Sequence, residues 1–374
     1  MGKNIDLLFV GSSNHRITLQ TENGKKFYRF NSNNSDFNSY LLKDILQFVT
    51  VILSKPFKLD VEFIFNDITI QDKLVYIYFE CLCYHLISKG YKVRIYFETA
   101  VSISTAGINH SPIRYLNPPN GKYSIDEFKR YFLKDLGVNH FRLWVGEQIN
   151  PSILSSDIIM FLKHTQLFPK RMLYSIANTI CELVGNAIEH GESDCLIDID
   201  IAPNYSHRNK KNLSFMGVNV VVLNFSNKNI GDLVRQKVLS GNDYGEKYSK
   251  LQQIRNRHSQ YFTDQYTEEV FWMLASLQDE ISGRLDTSIS GGKGSMELIK
   301  SIIDYSENSY CYVMSGCFTL SFEKEFLKKD LKGFIPFNDS TFETEPPRLE
   351  LCSKSMVSIP GVGYNLNFVI QEAE

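Results

Sequence analysis

The feature that most constrains the fold is the stretch 170–190, which has the pattern of a long amphipathic helix. Its apolar side chains recur every three or four residues, so they share one face of the helix. They are Ile176, Ile180, Leu183, Val184, Ala187 and Ile188. Apolar strand patterns follow at 195–202 and 218–225. Because a helix with one apolar face has to bury that face against a neighbouring layer, this order predicts an α/β fold.

The first part of the chain predicts a smaller α/β domain. An apolar strand at 61–64 is followed by a helical pattern at 72–88 and an alternating strand at 92–98. Gly90 closes the helix, and strand, helix and strand in this order predict a right-handed βαβ crossover. Residues 103–122 contain several prolines and glycines, which is typical of a connector.

The later part of the chain predicts a larger domain of mixed helices and strands. Besides the segments already named, the patterns predict helices at 125–136, 151–163 and 296–303, a hairpin at 310–322 and a strand at 364–370. We therefore expect an α/β domain at 1–112, a connector at 113–150 and a second α/β domain at 151–374.

Charge and composition exclude several classes of protein. The chain has 40 Lys and Arg against 42 Asp and Glu, and so lacks the basic excess of a nucleic-acid-binding protein. No apolar stretch reaches the roughly 20 residues that span a bilayer, and the first residues lack a signal-peptide pattern. The 7 scattered cysteines are typical of reduced thiols. We expect a cytoplasmic protein with no nucleic-acid or membrane partner.

The polar stripe of the helix at 170–190 carries candidate catalytic and metal-binding groups. Glu182 and Asn186 are spaced i,i+4 and so lie on one stripe, which Glu189 and His190 extend. The amide oxygen of Asn186 suits Mg²⁺, which prefers oxygen ligands, and the carboxylate of Glu182 can accept a proton from an attacking water. The alternative interpretation is the polar rim of an ordinary amphipathic helix.

A glycine-rich stretch precedes the helix predicted at 296–303. It consists of Gly291, Gly292, Lys293, Gly294 and Ser295. Glycines at a helix start let the backbone approach an anion closely, and the helix N-terminus and Lys293 add positive charge. The stretch lacks the spacing of a Walker A loop and the preceding strand of a Rossmann fingerprint. It predicts a phosphate site, with a flexible loop before a helix as the alternative.

The order of these motifs resembles the ATP-binding domain of the GHKL superfamily, which includes gyrase and histidine kinases. The phrase Glu-Leu-Val-Gly-Asn-Ala-Ile-Glu-His-Gly at 182–191 is similar to the N box of its anti-sigma-factor serine kinase branch, and Gly291–Gly294 resembles the second glycine box. The resemblance covers about residues 150–374. It implies an α/β sandwich, a mixed sheet with helices on one face, that binds ATP and Mg²⁺. In it Glu182 would be the catalytic base and Asn186 the Mg²⁺ ligand. The other ATP-binding residues that it implies are Glu189, His190, Asn224, Gly231, Gly291, Gly292, Lys293, Gly294 and Ser295.

The chain departs from the pattern of this family in two places. Asn224 stands where the first glycine box usually has an Asp that bonds the adenine amino group, and Gly231 takes the place of the second glycine of that box. An amide oxygen can still accept from the adenine amino group, without the charge-assisted bond of a carboxylate. We therefore expect weaker adenine recognition or looser base selectivity. Val362 replaces the threonine of the closing strand.

The domain expected at 1–112 resembles the STAS fold. In anti-sigma-factor systems a STAS partner carries a phosphorylated Ser or Thr at the start of the helix, and Thr69 is the nearest equivalent here. The alternative role for Thr69 is a hydroxyl that caps the helix.

Together these patterns predict a Mg-ATP-binding regulatory switch that hydrolyses ATP or phosphorylates a protein partner; a homodimer is compatible with them. The alternative is a non-enzymatic interaction module gated by nucleotide, such as one component of a multi-protein stress or defence system. A histidine kinase of the usual kind is excluded, because none of the 8 histidines lies in a phosphoacceptor setting.

The segment 232–288 predicts a mobile lid over the nucleotide, because a long polar segment between two binding motifs is usually functional. Its candidate γ-phosphate contacts are Arg255, Arg257 and Arg284. The alternative is a helical insertion packed permanently on the core, which the apolar cluster Val270–Leu274 favours.

Overall fold

A computed structural model of the chain describes residues 5–9, 19–32, 34, 36–66, 68–70, 72–97, 110–118, 123–146, 148–164, 168–203, 205, 215–279, 281, 294–306 and 311–371. Its contacts divide the chain into two compact units. The first consists of Met1–Trp144 and Leu196–Ile201, and the second of Val145–Cys195 and Ala202–Glu374. Both units combine helices with strands, so the α/β class predicted from the sequence is confirmed.

The first unit is built on a 4-stranded sheet in the order β1-β2-β3-β4. Its strands are Leu19–Glu22 (β1), Lys25–Ser32 (β2), Asp60–Phe65 (β3) and Val93–Phe97 (β4). Helix α1 (Ser39–Leu53) connects β2 to β3, and α2 (Lys73–Ser88) connects β3 to β4. The pairs β2–β3 and β3–β4 are parallel, which confirms the strand–helix–strand order predicted at 61–98. Strands β1 and β2 and helix α1 lie before residue 61, where the sequence patterns predict no element.

Aromatic rings fill the space between this sheet and its helices. The ring centroid of Phe63 on β3 lies 5.2 Å from that of Phe79 on α2 and 5.8 Å from that of Phe48 on α1. All three side chains are buried. Tilted and edge-to-face ring pairs of this kind add to the stability that burial provides.

The start of α2 is capped by Asp72, whose side chain accepts a hydrogen bond of 3.2 Å from the backbone N–H of Val75. The capping role suggested for Thr69 is therefore wrong. Thr69 forms an isolated bridge with Asp36, and its backbone oxygen accepts from the N–H of Phe37. Its role as a phosphoacceptor stays a prediction.

Residues 113–150, expected as a connector, contain regular structure. Helix α3 (Ile125–Leu133) leads into β5 (Lys134–Leu136), which pairs antiparallel with β6 (His140–Val145). The helix ends before the predicted residue 136 because the backbone of Lys134 is already extended. Strand β7 (Cys195–Ala202) is buried along almost its whole length, and its residues 196–201 belong to the first unit.

The second unit carries the remaining described helices and strands. The helices are Pro151–His164 (α4), Lys170–Glu189 (α5), Asp232–Leu239 (α6), Glu246–His258 (α7), Glu268–Ser276 (α8) and Gly294–Tyr305 (α9). The strands are Phe215–Asn224 (β8), Tyr312–Ser321 (β9) and Cys352–Gln371 (β10). Within this unit, β10 pairs antiparallel with both β8 and β9. No helix among the described residues is long and apolar enough to cross a membrane.

The hairpin predicted at 310–322 is wrong, because the described part of this stretch forms the single strand β9. The chain continues through Gly316, which has a φ of 60°, and does not reverse there. The pairing of β9 with β10 shifts register between Lys354 and Val362, as it does at a β-bulge. Apolar alternation on both sides of a glycine fits a bulged strand as well as a hairpin.

Helix α5 buries its apolar face as its periodicity predicts. It contacts α9 and β8, and eight of its buried side chains are apolar, among them Ile176, Ile180 and Leu183. Hydroxyl contacts support the α5–α9 packing, since the oxygen of Ser301 lies 2.8 Å from that of Thr179. This packing holds the polar stripe of α5 beside the start of α9.

The described residues of 232–288 form a packed helical insertion and not an exposed loop. The side chains of Val270–Ala275 on α8 are all buried. His258 at the end of α7 contacts the backbone oxygen of Phe342 at 2.8 Å, and Arg255 pairs with Glu268 at 3.1 Å. These contacts support the insertion over the lid. Arg284 lies outside the described residues.

Candidate functional site

A cavity in the second unit lies between α5, the end of β8 and the start of α9. The predicted site residues that line it are Glu182, Asn186, His190, Asn224, Gly231 and Ser295. The space open to the centre of a water molecule is about 180 Å³. Since one water needs roughly 10–15 Å³ by this measure, the cavity has room for a small-molecule ligand.

One wall of the cavity is the polar stripe of α5. Glu182, Asn186 and His190 follow each other at i,i+4, and the helix therefore directs all three to the same side. Glu182 is exposed, whereas Asn186 is half-buried. Among the described residues, no hydrogen bond involves the side-chain amide of Asn186. A half-buried amide with no partner among these residues can serve a ligand.

The buried end of the cavity is closed by the side chain of Asn224, the last residue of β8. Its Oδ1 accepts a hydrogen bond of 2.9 Å from the backbone N–H of Val362 on β10. Its Nδ2 donates one of 2.8 Å to the hydroxyl of Ser193. Because a backbone N–H can only donate, the bond to Val362 fixes which end of the amide is the oxygen. Asn224 therefore joins β8, β10 and the turn after α5.

Two glycines at the cavity are required by close backbone approach. A Cβ at Gly191 would lie 2.4 Å from both the backbone oxygen of Ala187 and the amide nitrogen of Asn224. Gly231 has a φ of 90°, and a Cβ there would lie 2.4 Å from the backbone oxygen of Trp272 on α8. At both positions the packing of neighbouring atoms leaves no room for a side chain. The fold therefore requires these glycines whether or not a ligand is bound.

Apolar side chains and further polar residues, among them Asn229 and Ser276, complete the lining. The apolar residues that line the cavity include Cys195, Val222, Leu223, Ile281, Leu298 and Val362. Lys228, which the sequence analysis did not single out, also lines the cavity and pairs with Glu192 at 2.5 Å. Its position in the polar turn after β8, next to the expected glycine box, is the signal that could have identified it.

The start of α9, which packs beside α5, also lines the cavity. Gly294 is the first residue of this helix, and Ser295 and Leu298 line the cavity. The first turn of a helix leaves backbone N–H groups without intrahelical partners and carries the positive end of the helix dipole. This arrangement suits an anionic group of a ligand.

Not every predicted residue is at this cavity. Glu189 is exposed and does not line it. Gly291, Gly292 and Lys293 lie outside the described residues, so their part in a phosphate site stays a prediction.

The first unit holds a second polar cluster, a buried network of charged side chains. Its members lie on α2, β6 and β7 and are Lys73, Glu80, His140, Arg142, Asp198 and Asp200. The ammonium of Lys73 forms ion pairs with both Asp198 and Asp200. Arg142 pairs with Asp198 through Nε and with Glu80 through Nη2, the latter at 2.6 Å. All six side chains are buried.

The network shifts the protonation of its members strongly. Burial alone would lower the pKa of His140, but the charge of Asp198 and hydrogen bonds with Asp135 and Asp198 outweigh it and raise this pKa to about 9. Burial opposes the charged form of Asp198 too, yet Arg142 and Lys73 hold its pKa well below the ordinary value. Both groups are therefore charged at neutral pH.

Part of this network has the composition of a metal site. Ligand atoms of His140, Asp198 and Asp200 lie within 4.8 Å of one another. The ammonium of Lys73 already lies against both carboxylates, and Arg142 and protonated His140 add positive charge beside Asp198. The cationic side chains thus take the place that a metal ion would have, and the geometry is that of ion pairs inside the protein.

Comparison with known proteins finds no matching protein family, no matching curated protein and no matching solved structure.

Proposed function

We propose that this protein binds Mg-ATP in the cavity and acts as a regulatory switch that hydrolyses ATP or transfers its γ-phosphate to a protein partner. The observation that carries the proposal is that Glu182, Asn186, Asn224, Gly231 and Ser295, from separate sequence motifs, line one cavity. The resemblance to the GHKL superfamily rests on the same motifs in the same order.

The two ends of the cavity match the two ends of a nucleotide. The buried amide of Asn224 lies among apolar lining residues such as Val222 and Leu223, which suits a nucleobase. The other end has Asn186, Glu182 and the first turn of α9, which suits phosphates and a cation. Asn186 would hold Mg²⁺ through its amide oxygen, and the ion would neutralise phosphate charge.

Glu182 is the group we assign to proton transfer. As water, or a hydroxyl of a protein partner, attacks the γ-phosphorus, its proton passes to the carboxylate of Glu182. The bond from the γ-phosphorus to the bridging oxygen breaks, and ADP leaves. Glu182 is exposed at the open end of the cavity, where a water or a partner can reach it.

The test is titration calorimetry of ATP with and without Mg²⁺, together with an assay of phosphate release. We expect Asn186→Ala to abolish Mg-dependent ATP binding, because it removes the proposed cation ligand. We expect Glu182→Gln to keep ATP binding but to slow phosphate release by about 10²–10⁴-fold, the usual contribution of a general base.

A matched control is Asp157→Asn, which removes one exposed carboxylate from α4 and lies away from the cavity. It should bind ATP and release phosphate like the native protein. Absence of nucleotide binding at millimolar ATP would exclude the proposal. Native protein that binds Mg-ATP without turnover or phosphotransfer would favour the nucleotide-gated interaction module instead.

A cytoplasmic location forms part of the same proposal. All 7 cysteines are free thiols, and thiols of this number persist in a reducing compartment. Nucleotide triphosphates are the ligands expected there.

A further inference from the structure

We propose that the hydroxyl of Tyr364 donates a hydrogen bond to a ring nitrogen of the nucleotide's base. The inference rests on the proposed function and deepens it, because it names a protein group that recognises the base. Tyr364 lines the cavity from β10 and is not among the site residues that the sequence predicts.

The side chain of Tyr364 stands on the face of the sheet that forms one wall of the cavity. Tyr364 on β10 lies directly opposite Val222 on β8, and two residues earlier Val362 lies opposite Asn224. Side chains that are opposite each other in an antiparallel pair, or two residues apart on one strand, share a face of the sheet. All four residues line the cavity. Because side chains stand roughly perpendicular to a sheet, the ring of Tyr364 extends from β10 towards the space that this wall bounds.

The hydroxyl of Tyr364 has no hydrogen-bond partner among the described residues, although only 7% of this residue is exposed. Buried tyrosine hydroxyls usually have a partner, because a buried polar group without one costs free energy. The buried Tyr266 shows this usual arrangement, with its hydroxyl 2.5 Å from Nδ1 of His258. The hydroxyl of Tyr364, at the wall of a cavity, is therefore suited to a polar atom of a ligand.

The surroundings of this hydroxyl fit a neutral acceptor better than a phosphate. Its neighbours on the wall, Val222 and Val362, are apolar, and a phosphate placed against them would lose its hydration without gaining a cation. Burial raises the pKa of Tyr364 above its ordinary value, so the hydroxyl keeps its proton at neutral pH and can donate it. Ring nitrogens of adenine such as N3 and N7 are acceptors. A ring nitrogen at this wall loses its hydrogen bond to water, and the hydroxyl of Tyr364 replaces that bond.

The test uses Tyr364→Phe, which removes the hydroxyl and keeps the ring. Without nucleotide we expect the melting temperature to stay within about 1 °C of the native value, because no internal hydrogen bond is lost. Calorimetric titration should show that the variant binds Mg-ATP about tenfold more weakly than the native protein, since one hydrogen bond to the ligand is removed.

Tyr266→Phe is the matched control, because it removes a buried hydroxyl that has an internal partner and does not line the cavity. It should lower the melting temperature by about 2–4 °C and leave the dissociation constant of Mg-ATP unchanged. We thus expect one variant to weaken binding alone and the other to weaken the fold alone.

Deaza analogues of ATP, in which a carbon replaces one ring nitrogen, identify the accepting atom. Among the 1-deaza, 3-deaza and 7-deaza forms, we expect one to bind the native protein about tenfold more weakly than ATP does. The same analogue should bind Tyr364→Phe with no further loss, because the two changes remove the same hydrogen bond.

Several results would overturn the inference and leave the proposed function standing. One is equal affinity of native protein and Tyr364→Phe for Mg-ATP. Another is a fall in the melting temperature of Tyr364→Phe as large as that of Tyr266→Phe, since the hydroxyl would then have an internal partner. A third is native protein that binds all three deaza analogues as tightly as ATP. Absence of ATP binding to the native protein would remove the proposed function and this inference together.

Discussion

The two polar clusters of the molecule satisfy their side chains in opposite ways. In the first unit, Lys73 and Arg142 both form ion pairs with Asp198 inside a buried network. In the second unit, the side chains of Glu182 and Asn186 form no hydrogen bond or ion pair with another described residue, and both line a cavity. Polar groups paired inside a protein stabilise its fold, whereas polar groups left unpaired at a cavity can serve a ligand. The difference separates residues that hold the protein together from residues that we expect to act.

The comparison is tested most severely by removing a cation from the network. We expect Arg142→Ala to lower the free energy of unfolding by about 3–5 kcal/mol, because Asp198 and Glu80 would stay buried without the guanidinium. Denaturant unfolding measures this. Arg130→Ala, which removes an exposed arginine of α3, should leave the unfolding midpoint unchanged. Equal midpoints for the two variants would show that the network does not stabilise the fold.

The network should also make stability depend on pH. The pKa of His140 is about 9 in the folded protein, whereas the ordinary value is 6.5. Between these two pH values the folded protein keeps the proton on His140, and the unfolded chain has lost it. The stabilisation is thus complete below about pH 6.5 and is lost as the pH rises through 9, a change on the order of 3 kcal/mol. Denaturant unfolding at several pH values in this range should show the free energy of unfolding falling as the pH rises. The His140→Gln variant should not show this fall. If the native protein were equally stable at the lower and the upper end of this pH range, the raised pKa of His140 would be contradicted.

Near the cavity, stability should depend on packing and not on polar groups. Gly191→Ala should lower the free energy of unfolding by about 1–3 kcal/mol, since its Cβ would meet Ala187 and Asn224. Gly185→Ala should raise it by about 0.5–1 kcal/mol, because this helical position has open space and alanine favours helix. Thermal unfolding compares the two. The same sign for both variants would contradict the close contact at Gly191.

The smallest effect is expected for the polar residues of the cavity. Without nucleotide, Glu182→Gln and Asn186→Ala should change the free energy of unfolding by less than about 0.5 kcal/mol, because no described partner is lost. With saturating Mg-ATP, native protein should be stabilised and Asn186→Ala should not. A large loss of stability without ligand would place these residues with the structural network instead.

The sequence predicts the elements better than it predicts the polar clusters. The bounds of α5 and the strand–helix–strand order at 61–98 follow from apolar periodicity, because burial of one face determines both. The stripe of Glu182 and Asn186 could be predicted because both residues lie on one helix.

The buried network could not be predicted, because its members come from three elements far apart in the chain. Only one local signal existed: Asp198 and Asp200 alternate with apolar residues in β7, which places two carboxylates on one face of a buried strand. Their partners Lys73 and Arg142 lie on α2 and β6, and only the folded chain brings them together. The hydrogen bonds of the Asn224 side chain could not be predicted from the sequence for the same reason.

The pairing of the buried charges with one another also has an evolutionary consequence. A domain is stable by only about 5–15 kcal/mol, and a change at one member leaves the remaining buried charges out of balance. A lineage can therefore hardly lose these residues one by one, and they should persist or disappear as a set. Lys73 with Glu80, His140 with Arg142 and Asp198 with Asp200 form three short spacings. Distant relatives of this chain should be recognisable by those spacings even where the rest of the sequence has diverged.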